Sequence, residues 1–72
     1  MAKKPQNRIK LVLVEKMKSN KWLASKLNVN ESTVSQWCTN KIQPSLGTLY
    51  KIAEIVDVEV RKLIVPTKEK EE

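Results

Sequence analysis

The sequence has no histidine, no phenylalanine, one glycine and one cysteine among its 72 residues. Histidine is the commonest general base and a common metal ligand, so its absence argues against most enzymes and against a metal site. The thiol of Cys38 has no imidazole partner that would activate it as a nucleophile. The single glycine, Gly47, excludes a glycine-rich loop that cradles phosphates. We therefore expect neither an enzyme nor a bound cofactor.

Long apolar stretches are also missing. Charged residues interrupt every apolar segment well before the roughly 18 residues of a membrane span. Residues 1–5 lead into no apolar segment of the kind found in signal peptides. One cysteine cannot form an internal disulfide, as is usual in a reducing compartment. These features predict a cytoplasmic protein with one small core and no membrane partner.

The charge is positive overall and unevenly distributed. The net charge is +6, and residues 1–28 hold eight basic residues against the single acidic residue Glu15. Residues 29–65 are balanced, with four charges of each sign. A basic surplus in one part of a chain indicates a polyanionic partner, nucleic acid first and an anionic membrane surface second. A lysine-rich surface that only keeps the protein soluble explains the charge equally well.

Apolar spacing and capping residues predict an all-α fold of five short helices. The helices are expected over about 7–17, 20–27, 31–38, 46–56 and 59–65. Asn7, Ser19 and Ser45 are the expected N-caps of the first, second and fourth helices, and Asn28 is the residue at which the second helix stops. Residues 1–6 are expected to form a flexible arm, and residues 66–72 a disordered charged tail after Pro66. Residues 7–65 then form the single folded domain.

The second and third predicted helices fit a helix-turn-helix. Ala24 is small where two helices would cross closely, and Asn28 suits a left-handed turn four residues later. Val29, Val34 and Trp37 follow at spacings that would fill the angle between the helices. One rigid geometry requires all of these residues, so the combination is more specific than any single match.

These residues resemble the lambda-repressor/Cro-type helix-turn-helix proteins, also called the xenobiotic-response-element family. The matching stretches are 8–10, 19–29, 32–37 and 44–53, within an ungapped alignment from about 7 to 64. Relatives usually have glycine at Asn28, and often at Met17 and Asn40. Relatives of the phage-repressor type often hold a buried Arg–Glu pair where this chain has Leu13 and Cys38. Replacing both members of a buried ion pair by apolar residues is often neutral or stabilising, so this difference is compatible with the same fold. The resemblance implies a five-helix domain that places its third helix in the major groove of DNA.

The resemblance also implies which residues contact DNA. The base-reading candidates, on the third helix, are Gln36, Ser32, Glu31 and Thr33. The candidates for contacts with the DNA backbone are Asn20, Lys18, Lys21, Ser35, Thr39, Asn40 and Lys41. Each has an ordinary alternative: Gln36 as a solvated glutamine, Glu31 as the partner of the helix dipole, each lysine as a solvated charge. For Lys26 the solvated charge is favoured, whereas Trp22 lies either near the DNA backbone or over the first helix.

The predicted function is a DNA-binding transcriptional regulator, a repressor by resemblance, encoded by a bacterium or phage and associated with the nucleoid. It is expected to bind double-stranded DNA as a homodimer, because one recognition helix reads few base pairs. Leu63, Ile64 and Val65 are the candidates for the dimer contact, with closure of the core as their alternative role. A protein-binding module, such as the antitoxin of a toxin–antitoxin pair, and a membrane-surface domain are the alternative functions. No small-molecule ligand is expected.

Overall fold

The structure, a computed structural model, describes residues 6–65. It contains four α-helices in this part of the chain: α1 (Ile9–Glu15), α2 (Asn20–Leu27), α3 (Glu31–Cys38) and α4 (Leu46–Val56). A single 3-10 turn, Val60–Leu63, follows α4 where a fifth helix over 59–65 was expected. Between residues 6 and 65 there is no strand, and an isolated backbone bridge joins Asn7 to Ile64. The fold is all-helical, as predicted, with four α-helices rather than five.

Local capping explains where α2 and α4 begin and end. The Ser19 hydroxyl accepts a hydrogen bond from the Trp22 N–H at 3.0 Å, and the Ser45 hydroxyl accepts one from the Thr48 N–H at 3.1 Å. Each bond satisfies one of the free N–H groups of a first helical turn. Asn28 ends α2 in the left-handed conformation, with φ 59°. These three caps confirm the predicted starts of both helices and the predicted end of α2, and left-handed Asp57 ends α4.

Helix α1 is shorter than predicted at both ends. Its first helical residue is Ile9 and Arg8 holds the N-cap position, so the predicted cap at Asn7 was wrong, although the Asn7 side-chain oxygen accepts from the Ile9 N–H at 3.0 Å. It ends at Glu15, two residues early, because Met17 adopts a left-handed conformation and the Lys18 N–H returns to the Leu13 carbonyl at 2.8 Å. The helix therefore ends two residues before the approximate end that the sequence predicts.

The core lies where the four helices and the 3-10 turn meet. Its buried apolar residues are Ile9, Val12, Leu13, Leu23, Ala24, Val34, Trp37, Ile52, Ala53, Val56 and Leu63. Helix α2 packs chiefly against α3, while α1 packs against α3 and the 3-10 turn. Leu13 is fully enclosed, and Cys38 packs half-buried against the same core. Both positions that the resemblance matches to a buried Arg–Glu pair therefore contact the apolar core.

A polar network holds the N-terminal segment against the loop that follows α3. Asn7 is only 6% exposed, and its amide donates to the Trp37 carbonyl at 2.9 Å and to Gln43 Oε1 at 2.7 Å. Asn40 Oδ1 accepts from the backbone N–H groups of Gln6 and Asn7, both at 2.8 Å. A buried amide is tolerated only when its hydrogen bonds are made, so this network fixes the loop beside α3.

The predicted arm and tail lie outside the described residues, apart from Gln6. The Gln6 carbonyl accepts from the Val65 N–H at 3.1 Å, so both ends of the described chain lie together. Among residues 6–65, no helix has the length and apolar character needed to cross a lipid bilayer.

Candidate nucleic-acid interface

The angle between α2 and α3 is fixed by buried side chains and by a tight turn. Ala24, Val34 and Trp37 are buried, as their spacing predicts, whereas Val29, expected beside Val34 and Trp37, is exposed. At the end of α2 the Val29 N–H donates to the Ala24 carbonyl at 3.0 Å, and the Asn28 N–H donates to the Ser25 carbonyl at 3.3 Å. These bonds need a left-handed residue at Asn28. Helix α3 is therefore held rigidly with its opposite edge facing solvent.

The solvent edge of α3 carries the predicted base-reading residues. Glu31 and Ser32 are exposed, while Thr33 and Gln36 are half-buried. Ser32 and Gln36 are four residues apart and so lie on the same edge. Within the described chain, none of these four side chains forms a hydrogen bond to the protein. Their polar groups are free to bind a partner.

The start of α2 holds a side-chain contact that the sequence did not predict. Asn20 is half-buried, and its Oδ1 accepts a hydrogen bond from the Cys38 thiol, with Sγ and Oδ1 3.4 Å apart. Burial raises the pKa of the Cys38 thiol, and nearby Lys10 opposes this weakly, so the thiol is protonated at neutral pH and is able to donate. Because Oδ1 faces the thiol, the Nδ2 amide group of Asn20 remains available to donate outward.

The loop after α3 combines an exposed cation with internal bonds. Lys41 is exposed, and the Thr39 hydroxyl donates back to the Gln36 carbonyl at 3.3 Å. The same carbonyl accepts from the Lys41 N–H at 3.0 Å. The Asn40 side chain is occupied by the network that binds Gln6 and Asn7. Asn40 therefore shapes this loop, whereas Lys41 projects from it.

The cations near these elements are not neutralised by the described chain. Lys18, Lys21 and Lys41 are exposed. Within residues 6–65 one ion pair is formed, between Arg61 and Glu59, at 3.0 Å on the surface. Ser35, the remaining backbone candidate, is exposed one turn after Glu31. The basic side chains beside the start of α2 and in the loop after α3 are thus open to solvent.

The three residues predicted to form a dimer contact differ in exposure. Leu63 is fully buried in the core of its own chain, which is the alternative role considered for it. Ile64 is 37% exposed, and Val65 is half-buried. Of the three, Ile64 offers the most surface to a partner. Leu63, the preceding residue, contributes no exposed surface.

Sequence reasoning missed the roles of Asn7 and Gln43. Asn7 was expected only as a cap, and Gln43 only as a loop residue. Their hydrogen bond joins residues 36 positions apart in the sequence, so no local pattern signals it. Among the described residues, no cluster of three or more histidine, cysteine, aspartate or glutamate side chains has the arrangement of a metal site.

Comparison with known proteins agrees with this geometry. The helix-turn-helix family model matches residues 9–63. A solved structure described as "a putative DNA-binding protein from Bacteroides fragilis" is similar, with 52% sequence identity and a TM-score of 0.83. The match covers 83% of this chain and 97% of that one. No curated protein matches. The chain therefore belongs to the helix-turn-helix family of the lambda-repressor type, as its sequence resemblance implied.

Proposed function

We propose that the protein is a sequence-specific, double-stranded DNA-binding transcriptional regulator that inserts α3 into the major groove. The observation that carries this proposal is the solvent edge of α3, whose polar side chains form no hydrogen bonds within the described chain. Buried Ala24, Val34 and Trp37 hold this helix in place. A rigid helix of this width fits the major groove of B-DNA. The similar protein from Bacteroides fragilis, described as DNA-binding, supports the proposal.

Gln36 is the central residue of the proposed base contact. Its amide offers a donor and an acceptor, and adenine presents the complementary N7 and N6 groups in the major groove. Ser32, on the same edge, reaches a neighbouring base or phosphate, and Thr33 lies beside it. Glu31 accepts from a cytosine N4 amine if it contacts a base. Its charge is unfavourable near phosphates, so that contact would be selective.

The proposed contacts with the DNA backbone flank α3 on both sides. On one side the free amide group of Asn20 donates to a phosphate at the start of α2, where the helix dipole favours an anion. Lys18 and Lys21 add positive charge there. On the other side Lys41 and the exposed Ser35 bind the next stretch of backbone. Thr39, whose hydroxyl donates to the Gln36 carbonyl, and Asn40 hold their loop in place. Such contacts position α3 without reading sequence.

The proposed active form is a homodimer on a two-fold symmetric operator. A single α3 reads few base pairs, so useful specificity requires two half-sites. Ile64 and Val65 supply the contact surface in this proposal, backed by Leu63. Repression, by occupying DNA that polymerase needs, is proposed from the family resemblance. The proposed setting is the cytoplasm of a bacterium, or of a phage host, at the nucleoid.

Selection from a random duplex library tests this function. The full-length protein is incubated with a library of random duplexes, and the bound duplexes are recovered and sequenced over several rounds. We expect a palindromic motif with half-sites about one helical turn, 10 to 10.5 base pairs, apart. A library that stays random while the protein still binds DNA would contradict sequence-specific reading. A single unpaired half-site would contradict the dimer.

A further inference from the structure

Two lysines converge on one tryptophan along the outer side of α2. Lys18 Nζ lies 4.8 Å from the centre of the Trp22 ring system, and Lys26 Nζ lies 5.8 Å from it. Both ammonium groups are within cation–π range of the indole. Trp22 itself is half-buried and packs against the core, so it gives the two lysines a fixed support. We call these three residues the lysine–tryptophan strip.

The strip concentrates positive charge that the described chain does not neutralise. No acidic residue occurs between positions 16 and 30 of the sequence. Neither lysine forms an ion pair within residues 6–65. Because both Nζ atoms lie over one ring, they are less than about 11 Å apart, a span of roughly three nucleotides along a duplex axis. An anion placed between them would relieve their mutual repulsion.

The indole contributes an additional donor. The Trp22 Nε1–H forms no hydrogen bond to the part of the chain that the structure describes. Indole N–H groups at the edge of a core commonly bind a polar partner outside it. Contact with the ring also restricts the two long lysine side chains, so less conformational entropy is lost when they bind an anion. The strip therefore combines two positioned cations with a free N–H donor.

We propose that the lysine–tryptophan strip binds the phosphate backbone of DNA beside the site that α3 reads. This inference rests on the proposed function, since the strip is continuous with the phosphate contacts assigned to Lys18 and Asn20. It extends those contacts along α2 by two helical turns, to Lys26. It also gives Lys26 a binding role, where the sequence favoured a freely solvated charge. The contact is with phosphates, so it holds any duplex regardless of sequence.

Iodide quenching of tryptophan fluorescence tests whether DNA covers Trp22. The chain has two tryptophans, and Trp37 is only 6% exposed, so quenching by iodide reports mainly on Trp22. Measurements on the full chain at constant ionic strength should show quenching in the free protein and at least a twofold decrease with saturating random duplex. In the Trp22→Phe variant, which keeps an aromatic ring on the core, quenching should be low with or without DNA.

The salt dependence of binding tests Lys26 directly. Lys26→Gln should lower the slope of log affinity against log salt by about one and weaken random-duplex binding about fivefold near 0.15 M salt. Lys51→Gln is the matched control, because Lys51 is an equally exposed lysine on α4 and loses the same charge. We expect Lys51→Gln to leave the slope unchanged.

The outcomes separate this inference from the proposed function. If the protein binds duplex DNA while Trp22 remains quenchable and Lys26→Gln behaves like Lys51→Gln, the strip does not contact DNA, although the α3 proposal stands. If no duplex binds at all, both proposals are wrong. If phosphatidylserine vesicles protect Trp22 and duplex DNA does not, the strip binds a membrane surface instead, and the inference is overturned.

Discussion

Within residues 6–65, four residues adopt a left-handed backbone conformation without being glycine. They are Met17, Asn28, Asn40 and Asp57, with φ between 59° and 62°. Asparagine and aspartate tolerate this conformation because their short polar side chains bond locally. Met17 has no such compensation, and its side chain is 90% exposed, so it gains little from packing. The strain at Met17 is on the order of 1 kcal/mol.

Met17→Gly should therefore stabilise the protein. Glycine adopts positive φ without a Cβ clash, and we expect the free energy of unfolding to rise by about 0.5–1 kcal/mol, a few degrees in the melting temperature. Thermal or urea unfolding measures the change. Lys16→Gly is the control, because Lys16 has an ordinary φ of −87° and glycine there should lower stability slightly. Equal effects at both positions would show that Met17 is not strained.

At the residue level, the sequence predicted those features that depend on near neighbours. Ser19, Asn28 and Ser45 act as caps because their side chains or φ values serve bonds to residues at most four positions away. Asn7 was predicted as the N-cap of α1, but Arg8 holds that position, and Asn7 only bonds locally to the Ile9 N–H. Its bonds to Trp37 and Gln43 depend on tertiary contacts across 30 or more residues, which no local pattern encodes.

At the level of elements, the Cys38 thiol links α3 to the start of α2. The thiol donates to Asn20 Oδ1, so it positions the amide that we propose as a phosphate ligand. Burial raises the pKa of this thiol because the thiolate would lose solvation. A raised pKa in the folded state means that the neutral thiol stabilises the fold at low pH. That contribution is lost as the pH rises through the folded pKa.

Stability of the wild-type protein should consequently fall above about pH 9, where the unfolded thiol ionises more readily than the folded one. The measurement is urea unfolding at several pH values from 7 to 10.5. The result is read as the difference between wild type and Cys38→Ala, which cancels the contributions of all other groups. We expect this difference to shrink with rising pH. A difference independent of pH would contradict a buried, protonated thiol.

The helices themselves were more predictable than their ends. Helices α2, α3 and α4 have continuous apolar faces and local stop signals, so the sequence predicts their bounds. The end of α1 depends on a strained methionine, which carries no turn signal. The expected fifth helix is a single 3-10 turn, because it is short and Leu63 alone of its residues is fully buried. Without more buried surface, a longer α-helix gains little there.

At the scale of the whole molecule, the basic side chains and the proposed dimer surface lie in different parts of the chain. Residues 1–28 hold the positive surplus, whereas Ile64 and Val65 lie at the C-terminal end of the described chain. The sequence predicts this division of charge, but it leaves open which of Leu63, Ile64 and Val65 are exposed. Burial in the core distinguishes Leu63 from Ile64.

Ile64→Asp should disrupt the proposed dimer while leaving each domain folded, because Ile64 is partly exposed. A charge in an apolar contact is costly, so affinity for a two-half-site duplex should fall at least tenfold, with little change for a single half-site. Electrophoretic mobility shift on both duplexes measures this. Val14→Asp, an equivalent change at an exposed residue of α1, is the control. Equal losses from both variants would contradict a dimer contact at Ile64.

The most direct test of the central claim, that α3 reads base edges, is the affinity of Gln36→Ala for the selected duplex and for a random duplex. We predict a loss of about 1–3 kcal/mol on the selected duplex, about fivefold to 150-fold in affinity, with relaxed preference at one base pair. Random-duplex affinity should be unchanged. An equal loss on both duplexes would contradict base reading by Gln36 and make it a backbone contact, and no loss on either would leave Gln36 a bystander.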